Sequence, residues 1–409
     1  MKHKRKKKTK HKLPKESIIG PGLITGGADN DPAGIVTYTI AGSLFGYSPL
    51  WVLLLCTPIM AVVQEMSARI ALVKRKGLAS IIKQYDGKTI AFSVIFILAI
   101  ANLITISADI AGIASVLGLM TGIKWTIFTV PIAFLLSYLI IFKKYKTIRT
   151  FLLGLTFLLT FYILSAILIK PDWLSVLKGF IPSFPTLGFV PVAIGIIGTT
   201  IAPYLLFWQA SDELEEHKTI LIAKEMKLDT ILGMLWSNIV AGFIIIAAAA
   251  TLFSTKTIVN SPSHAALALK PLAGDLAYIL FSLGIIFSGL LALPVIAGST
   301  AYAISELFNW HEGLNKKPKL AKEFYFIIIA SLFIGALIAL APINPIKFLY
   351  YSQILNGFLT PFVIAILLKL CSSKKVMRKY RNKRIQNIIA VFLIVLLFVL
   401  DIFLLISIF

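Results

Sequence analysis

Cysteine is scarce: the 409 residues include two, Cys56 and Cys371. They fall in or beside different apolar segments, which excludes a disulfide scaffold and a cysteine metal cluster. Histidine is nearly as rare, with five: His3, His11, His217, His264 and His311. There is no Ser/His/Asp set, no Cys/His cluster, no P-loop and no dinucleotide fingerprint, so no enzyme chemistry is expected. Charged residues make up 14% of the chain against 58% hydrophobic. The mean hydropathy is +0.89, which excludes an ordinary soluble domain. The basic head leads into a long apolar span without a small-residue cleavage pattern, so no cleaved signal peptide is expected.

What is present is a series of apolar runs long enough to cross a bilayer, about 20 residues each. Eleven spans are read: 18–43, 48–73, 90–119, 125–142, 148–169, 188–211, 229–253, 272–305, 324–341, 346–370 and 385–408. The formal charge of +22 raises nucleic acid as a partner, but its placement argues for a membrane instead. Of the 40 Lys and Arg, 34 lie in the tail 1–17 or in and beside every second connection. The others are Lys124, Lys170, Lys178, Lys256, Lys270 and Lys347. That alternation places the basic N-terminal tail in the cytoplasm, against an anionic lipid surface, and Phe409 outside. Residues 256–270 read as a short external helix.

The first span carries polar residues where a bilayer tolerates them least. Gly20–Tyr47 reads GPGLITGGADNDPAGIVTYTIAGSLFGY, with Asp29, Asn30, Asp31 and Pro32 near its centre. A carboxylate at that depth costs roughly 2.5–3.5 kcal/mol on insertion scales. Pro32 removes a donor and disfavours helix at Asp31, and the neighbouring glycines loosen both sides. A helix broken at mid-membrane is the natural reading. A second break lies five spans later, at Gly195–Tyr204, with Thr199, Thr200, Ala202 and Pro203. Paired interruptions at corresponding positions point to a transporter site. The expected fold is all-α and polytopic: two inverted five-helix repeats (18–169 and 188–370) with broken helices 1 and 6, similar to the APC or leucine-transporter-like fold, plus an extra helix at 385–408.

With both breaks located, the chain resembles the Nramp family of divalent-metal transporters over most of its length. The resemblance rests on Gly20-Pro21-Gly22, Asp31-Pro32, Gly46-Tyr47 and Leu50-Trp51. It extends through Met60-Ala61, Gln64, Ser67-Ala68-Arg69, Ser107-Ala108-Asp109-Ile110-Ala111, Ser352-Gln353 and Pro361-Phe362. Departures fall on the residues that matter most. The family's Asp-Pro-Gly-Asn appears here as Asp31-Pro32-Ala33-Gly34, so the Asp ligand is kept and the Asn ligand becomes Gly34. Its Met-Pro-His appears as Ala202-Pro203-Tyr204, losing the thioether. A further His tied to proton movement falls on Gln209, and a Glu one turn after Asp109 falls on Gly112.

A site without the soft thioether keeps only oxygen ligands, which suit Mg²⁺, Ca²⁺ and Mn²⁺. Smaller residues at Gly34 and Ala202 suggest more room, which suits a partly hydrated Mg²⁺. The combination resembles the Nramp-related magnesium transporter branch. The expected substrates are Mg²⁺ and Mn²⁺, with no cofactor. With no histidine at membrane depth, transport is expected to be facilitated and uncoupled from protons. The alternatives are a proton-coupled Mn²⁺/Fe²⁺ importer of the ordinary Nramp type and an amino-acid transporter on the same scaffold, whose substrate carboxylate Asp31 would repel.

The expected metal ligands are Asp31, Gly34, Thr199, Ala202 (through its carbonyl), Tyr204 and Gln353. For several residues two roles stay open. Asp29 is a metal ligand, an acid behind the ligands, a vestibule residue or a cap at the helix break. Tyr204 is a water-contacting phenol or a packing aromatic. Gln353 is a ligand or a water anchor. Gln209 holds a metal-bound water or packs. Asp109 is a pathway acid or half of a buried ion pair. Glu65 and Arg69 read as an intrahelical pair, and Asp212, Glu213, Glu215 and Glu216 as a solvated loop in preference to an inner mouth. Asp401 reads as a helix-to-helix hydrogen bond or a dimer contact.

Overall fold

The computed structural model describes residues 20–143, 145–216, 220–267 and 277–408. Among these residues the secondary structure is entirely helical. Among the described residues, nine helices are long and apolar enough to cross a membrane. Two more spans complete the set of eleven. The first is broken into Pro21–Asp29 and Pro32–Phe45, and the ninth, Lys322–Ile338, is 17 residues long.

The remaining spans follow the expected order. They are Leu50–Lys74, Lys88–Thr121, Trp125–Phe142, Thr147–Leu168, Phe189–Glu215, Ala223–Phe253, Ala277–Phe308, Pro345–Ser372 and Arg384–Ile408. Two short helices, Leu78–Asp86 and Trp173–Lys178, lie in connections where none was expected. The helix expected in 256–270 is present as Pro262–Ala266, and residues 268–270 lie outside the described residues.

The breaks form where backbone chemistry requires them. Asp31 is extended (φ −66°, ψ 170°) and caps the second half of span one, with Pro32 at the first helical position. That is the residue order a helix start prefers. Span six repeats the pattern: Phe189–Thr200 ends at Ile201, Ala202 is extended (φ −62°, ψ 136°), and Pro203 begins the second half. The Ile201 carbonyl accepts a bond from Thr360 of span ten at 3.1 Å. A non-helical carbonyl at this depth is thus satisfied by protein, as the bilayer requires.

Close backbone contacts set the two broken helices in place. A Cβ on Gly26 would lie 2.2 Å from the Gly233 carbonyl oxygen, so span one touches span seven backbone to backbone. A Cβ on Gly198 would lie 2.0 Å from the Gln353 carbonyl oxygen, which brings span six equally close to span ten. Span six is the central element: 94% of its most apolar window is buried, against 28% for span eleven at the periphery.

Candidate functional site

Asp31 lies where spans one, six and ten meet. Its Oδ1 accepts from the Gly34 backbone N–H at 2.5 Å, the N-cap bond of the second half-helix. Gln353 Nε2 lies 3.2 Å from Oδ2 and 3.4 Å from Oδ1. The Tyr204 hydroxyl lies 3.4 Å from Oδ2 and also 3.2 Å from the Ala28 carbonyl. The Thr199 hydroxyl donates to the Asp29 carbonyl at 3.2 Å, bridging the two breaks. Asp31, Thr199, Tyr204 and Gln353 are all at most 1% exposed. All four side chains are therefore shielded from solvent.

Gly34 sits at the centre of this arrangement. A Cβ there would lie 2.6 Å from Thr199 Oγ1, 3.0 Å from Asp31 Oδ1 and 3.1 Å from the Asp29 carbonyl oxygen. Three oxygens therefore converge on one point beside the glycine. The expectation of a roomier site is corrected here: the volume released at Gly34 is filled by the Thr199 hydroxyl. Ala202 offers less than expected, since its carbonyl already accepts from the Leu205 N–H at 3.1 Å. Thr199 and Thr200 end their half-helix, so their carbonyls fall among those without an intrahelical partner.

The other acids are placed as follows. Asp29 turns its carboxylate to span seven, where the Ser237 hydroxyl donates to Oδ2, and its Oδ1 has no partner. Asn30 Nδ2 donates to the same hydroxyl at 2.9 Å and to the Ser237 carbonyl at 3.2 Å. Asp109 of span three accepts from the Ala33 N–H at 3.1 Å, and its Oδ2 has no partner. The ion-pair role for Asp109 is not seen: among the described residues no Lys, Arg or His pairs with Asp29, Asp31 or Asp109. Three buried carboxylates without a cation make this region strongly attractive to one. Gly112, at the position of the family's second acid in span three, is packed against Leu349 and Pro32.

Gln209 donates to Glu213 Oε1 at 2.9 Å and is fully buried, below the level of the break. The acids after it do not form a solvated loop. Span six continues as helix to Glu215, and Asp212 and Glu213 are 1% and 0% exposed. Glu215 accepts from the Tyr302 hydroxyl at 2.7 Å and from Asn315 Nδ2 at 2.7 Å. The Glu65–Arg69 pair forms at 2.7 Å and is extended by Asn382 and Gln386 of the C-terminal connection. Both Asp401 oxygens lack a hydrogen-bond partner, so the helix-to-helix bond is not seen. Sequence reasoning missed Ser237, and also Asn356, whose Nδ2 supports Gln353 Oε1 at 3.2 Å. The adjacent polar pair Ser237-Asn238 inside an apolar span was the available signal.

Two spans broken at mid-length and packed against each other within a bundle of long apolar helices define a polytopic membrane protein. The same fold occurs in the manganese transporter of Eremococcus coleocola (TM-score 0.73, 21% identity, 93% of this chain and 84% of that one). It also occurs, more distantly, in Mhp1, a nucleobase-cation-symport-1 family transporter (TM-score 0.55, 15% identity, 90% and 82%). The family model described as natural resistance-associated macrophage protein-like matches residues 22–407. The chain belongs to the Nramp family, whose members are transporters and not enzymes. It is 25% identical over 403 residues to the divalent metal cation transporter MntH of Bacillus subtilis, covering 95% of this chain and 92% of that one. It is 28% identical over 416 residues to MntH of Staphylococcus saprophyticus, covering 96% and 92%.

Proposed function

We propose that this protein carries divalent metal cations across a membrane by alternating access, with Mg²⁺ and Mn²⁺ as its substrates. The observation that carries this reading is the position of Asp31: a buried carboxylate at a helix break, within hydrogen-bond reach of spans six and ten. The substrate would be held by Asp31 and by oxygens of Thr199, Tyr204 and Gln353, with Gly34 admitting the Thr199 hydroxyl and the Ala202 carbonyl contributing less because the Leu205 N–H already holds it. Gln353 now presents its Nε2 to Asp31. Offering Oε1 to a cation requires the amide to turn over, which breaks the bond from Asn356. Tyr204 shares one proton between Asp31 and the Ala28 carbonyl, so a cation at Asp31 leaves that proton to Ala28.

The donor set is oxygen throughout, with no sulfur or imidazole, and such sets favour hard dications. Mg²⁺ is usually held by one or two carboxylates while keeping several waters. Transport is facilitated and uncoupled from protons, driven by membrane potential at about 2.3 kcal/mol per charge per 100 mV. The N-terminus is cytoplasmic and the C-terminus external. Residues 18–169 and 188–370 form the two repeats, and 385–408 the extra helix. The relatives named for divalent metal transport support the substrate class. The test is uptake into liposomes of Mg²⁺, Mn²⁺ and Ca²⁺ by the parent protein and Asp31→Ala. Loss of uptake in the variant, with its melting temperature retained, supports the reading; undiminished uptake rejects it.

A further inference from the structure

The break in span one presents two buried carboxylates, two residues apart, yet only one faces the substrate site. Asp31 points between spans six and ten. Asp29 shares the same surroundings through its backbone: its carbonyl oxygen and Asp31 Oδ1 both lie within 3.1 Å of the point beside Gly34. Its side chain, however, is turned away to span seven by the Ser237 hydroxyl. That hydroxyl is used on both sides, since it also accepts from Asn30 Nδ2 at 2.9 Å. Asn30 holds the Ser237 carbonyl as well, at 3.2 Å, so the clamp is anchored twice. Asp29 Oδ1 has no partner, and the residue is 0% exposed. Among the described residues, the Ser237 hydroxyl is the one hydrogen-bond donor to this carboxylate, and it holds it against span seven.

The number of carboxylates on a hard dication decides which ion is favoured. Ca²⁺ takes six to eight oxygens in flexible geometry, whereas Mg²⁺ demands a small octahedral shell and keeps its waters. We propose that Ser237 is a selectivity-setting positioning residue, which limits the substrate site to one carboxylate by holding Asp29 against span seven. This rests on the reading of Asp31 as the substrate ligand. Removing the hydroxyl frees Asp29 to join Asp31. A second carboxylate strips more water from the ion, binds Ca²⁺ and Mn²⁺ more tightly, and slows release.

The test is uptake of Mg²⁺, Mn²⁺ and Ca²⁺ into liposomes by the parent, Ser237→Ala, Ser237→Thr, Ser237→Ala/Asp29→Asn and Asp31→Ala. Ser237→Ala is expected to lower the KM for Ca²⁺ by about tenfold relative to Mg²⁺, the equivalent of one carboxylate contact, and to lower the maximal rate. Ser237→Thr, which keeps the hydroxyl, and the double variant should both return to the parent's ion ratio. A merely structural serine would lower the amount of folded protein without changing that ratio, and this result overturns the proposal. So does a changed ratio that persists in the double variant. If Asp31→Ala itself transports normally, the underlying reading of the site has failed. If it is inactive while Ser237→Ala keeps the parent's ratio, only the role given to Ser237 has failed.

Discussion

Replacing Gly34 with alanine tests whether three oxygens are packed around the helix break. Alanine adds one methyl group at a point 2.6 Å from Thr199 Oγ1, 3.0 Å from Asp31 Oδ1 and 3.1 Å from the Asp29 carbonyl. The Thr199 hydroxyl has to leave, and its bond to the Asp29 carbonyl is lost, at about 0.5–1.5 kcal/mol. Overpacking adds about 1–3 kcal/mol. Alanine in a helix returns about 0.5–1 kcal/mol of that. The net cost to stability is about 0.5–4 kcal/mol, and because the displaced Thr199 oxygen is one that would hold the substrate, the KM for Mg²⁺ should rise about tenfold. Thermal melting in detergent and uptake in liposomes measure the two effects separately. The companion Gly34→Ala/Thr199→Ala removes the clash and should recover stability but not affinity, because the threonine oxygen is gone. Uptake and melting by Gly34→Ala equal to the parent's would refute the packing argument.

Three further perturbations follow from contacts outside the break. Arg69 is held by Glu65, Asn382 and the Tyr380 carbonyl. Arg69→Ala leaves a buried acid unpaired and should destabilise the protein by about 3–5 kcal/mol, seen as a lower melting temperature. Asp229 accepts from the Gly20 and Gly22 N–H groups at 2.8 Å each and so ties the start of span one to span seven. Asp229→Ala should weaken that tie by about 1–3 kcal/mol, and a cysteine at Thr25 should then react faster with a membrane-impermeant thiol reagent. Glu312 lies in the connection after span eight, where burial, with Glu306 and Glu215 nearby and Lys316 opposing, raises its pKa to about 9. The folded state then binds more protons than the unfolded one, so this group's contribution to stability falls from about pH 4.5 to about pH 9. Glu312→Gln should flatten the pH dependence of melting across that window.

Much of the architecture could be read from the chain because it depends on local chemistry and on charge. Asp31-Pro32 and Ala202-Pro203 each spell a helix start inside an apolar run, and both breaks occur there. The alternation of basic connections separated spans whose hydropathy alone runs together. Packing was harder to read. Gly34 reads as released volume in a sequence, which cannot say that Thr199 fills it. A serine in an apolar helix usually bonds its own backbone, and the polar neighbour Asn238 does not say where Ser237 points. Only the close approach of Gly26 to Gly233 brings Ser237 near Asp29. The acids at 212–216 look like a loop because charge usually marks solvent, yet span six runs as helix to Glu215 and packs on span eight, where Tyr302 donates to Glu215 and Glu306 accepts from Ser211.

Proton coupling has its own test: proton flux recorded alongside Mg²⁺ uptake in liposomes at fixed membrane potential. No stoichiometric proton current is expected, and one that scales with metal uptake would reject facilitated transport. The most direct test of an oxygen-only site at the break is competition between Mg²⁺ and Cd²⁺ for binding to the purified protein, with Asp31→Ala as control. Mg²⁺ and Mn²⁺ should bind through Asp31, with Cd²⁺ competing no better than Mn²⁺. Cd²⁺ binding far more tightly than both, or Mg²⁺ binding unaffected by Asp31→Ala, would contradict the account.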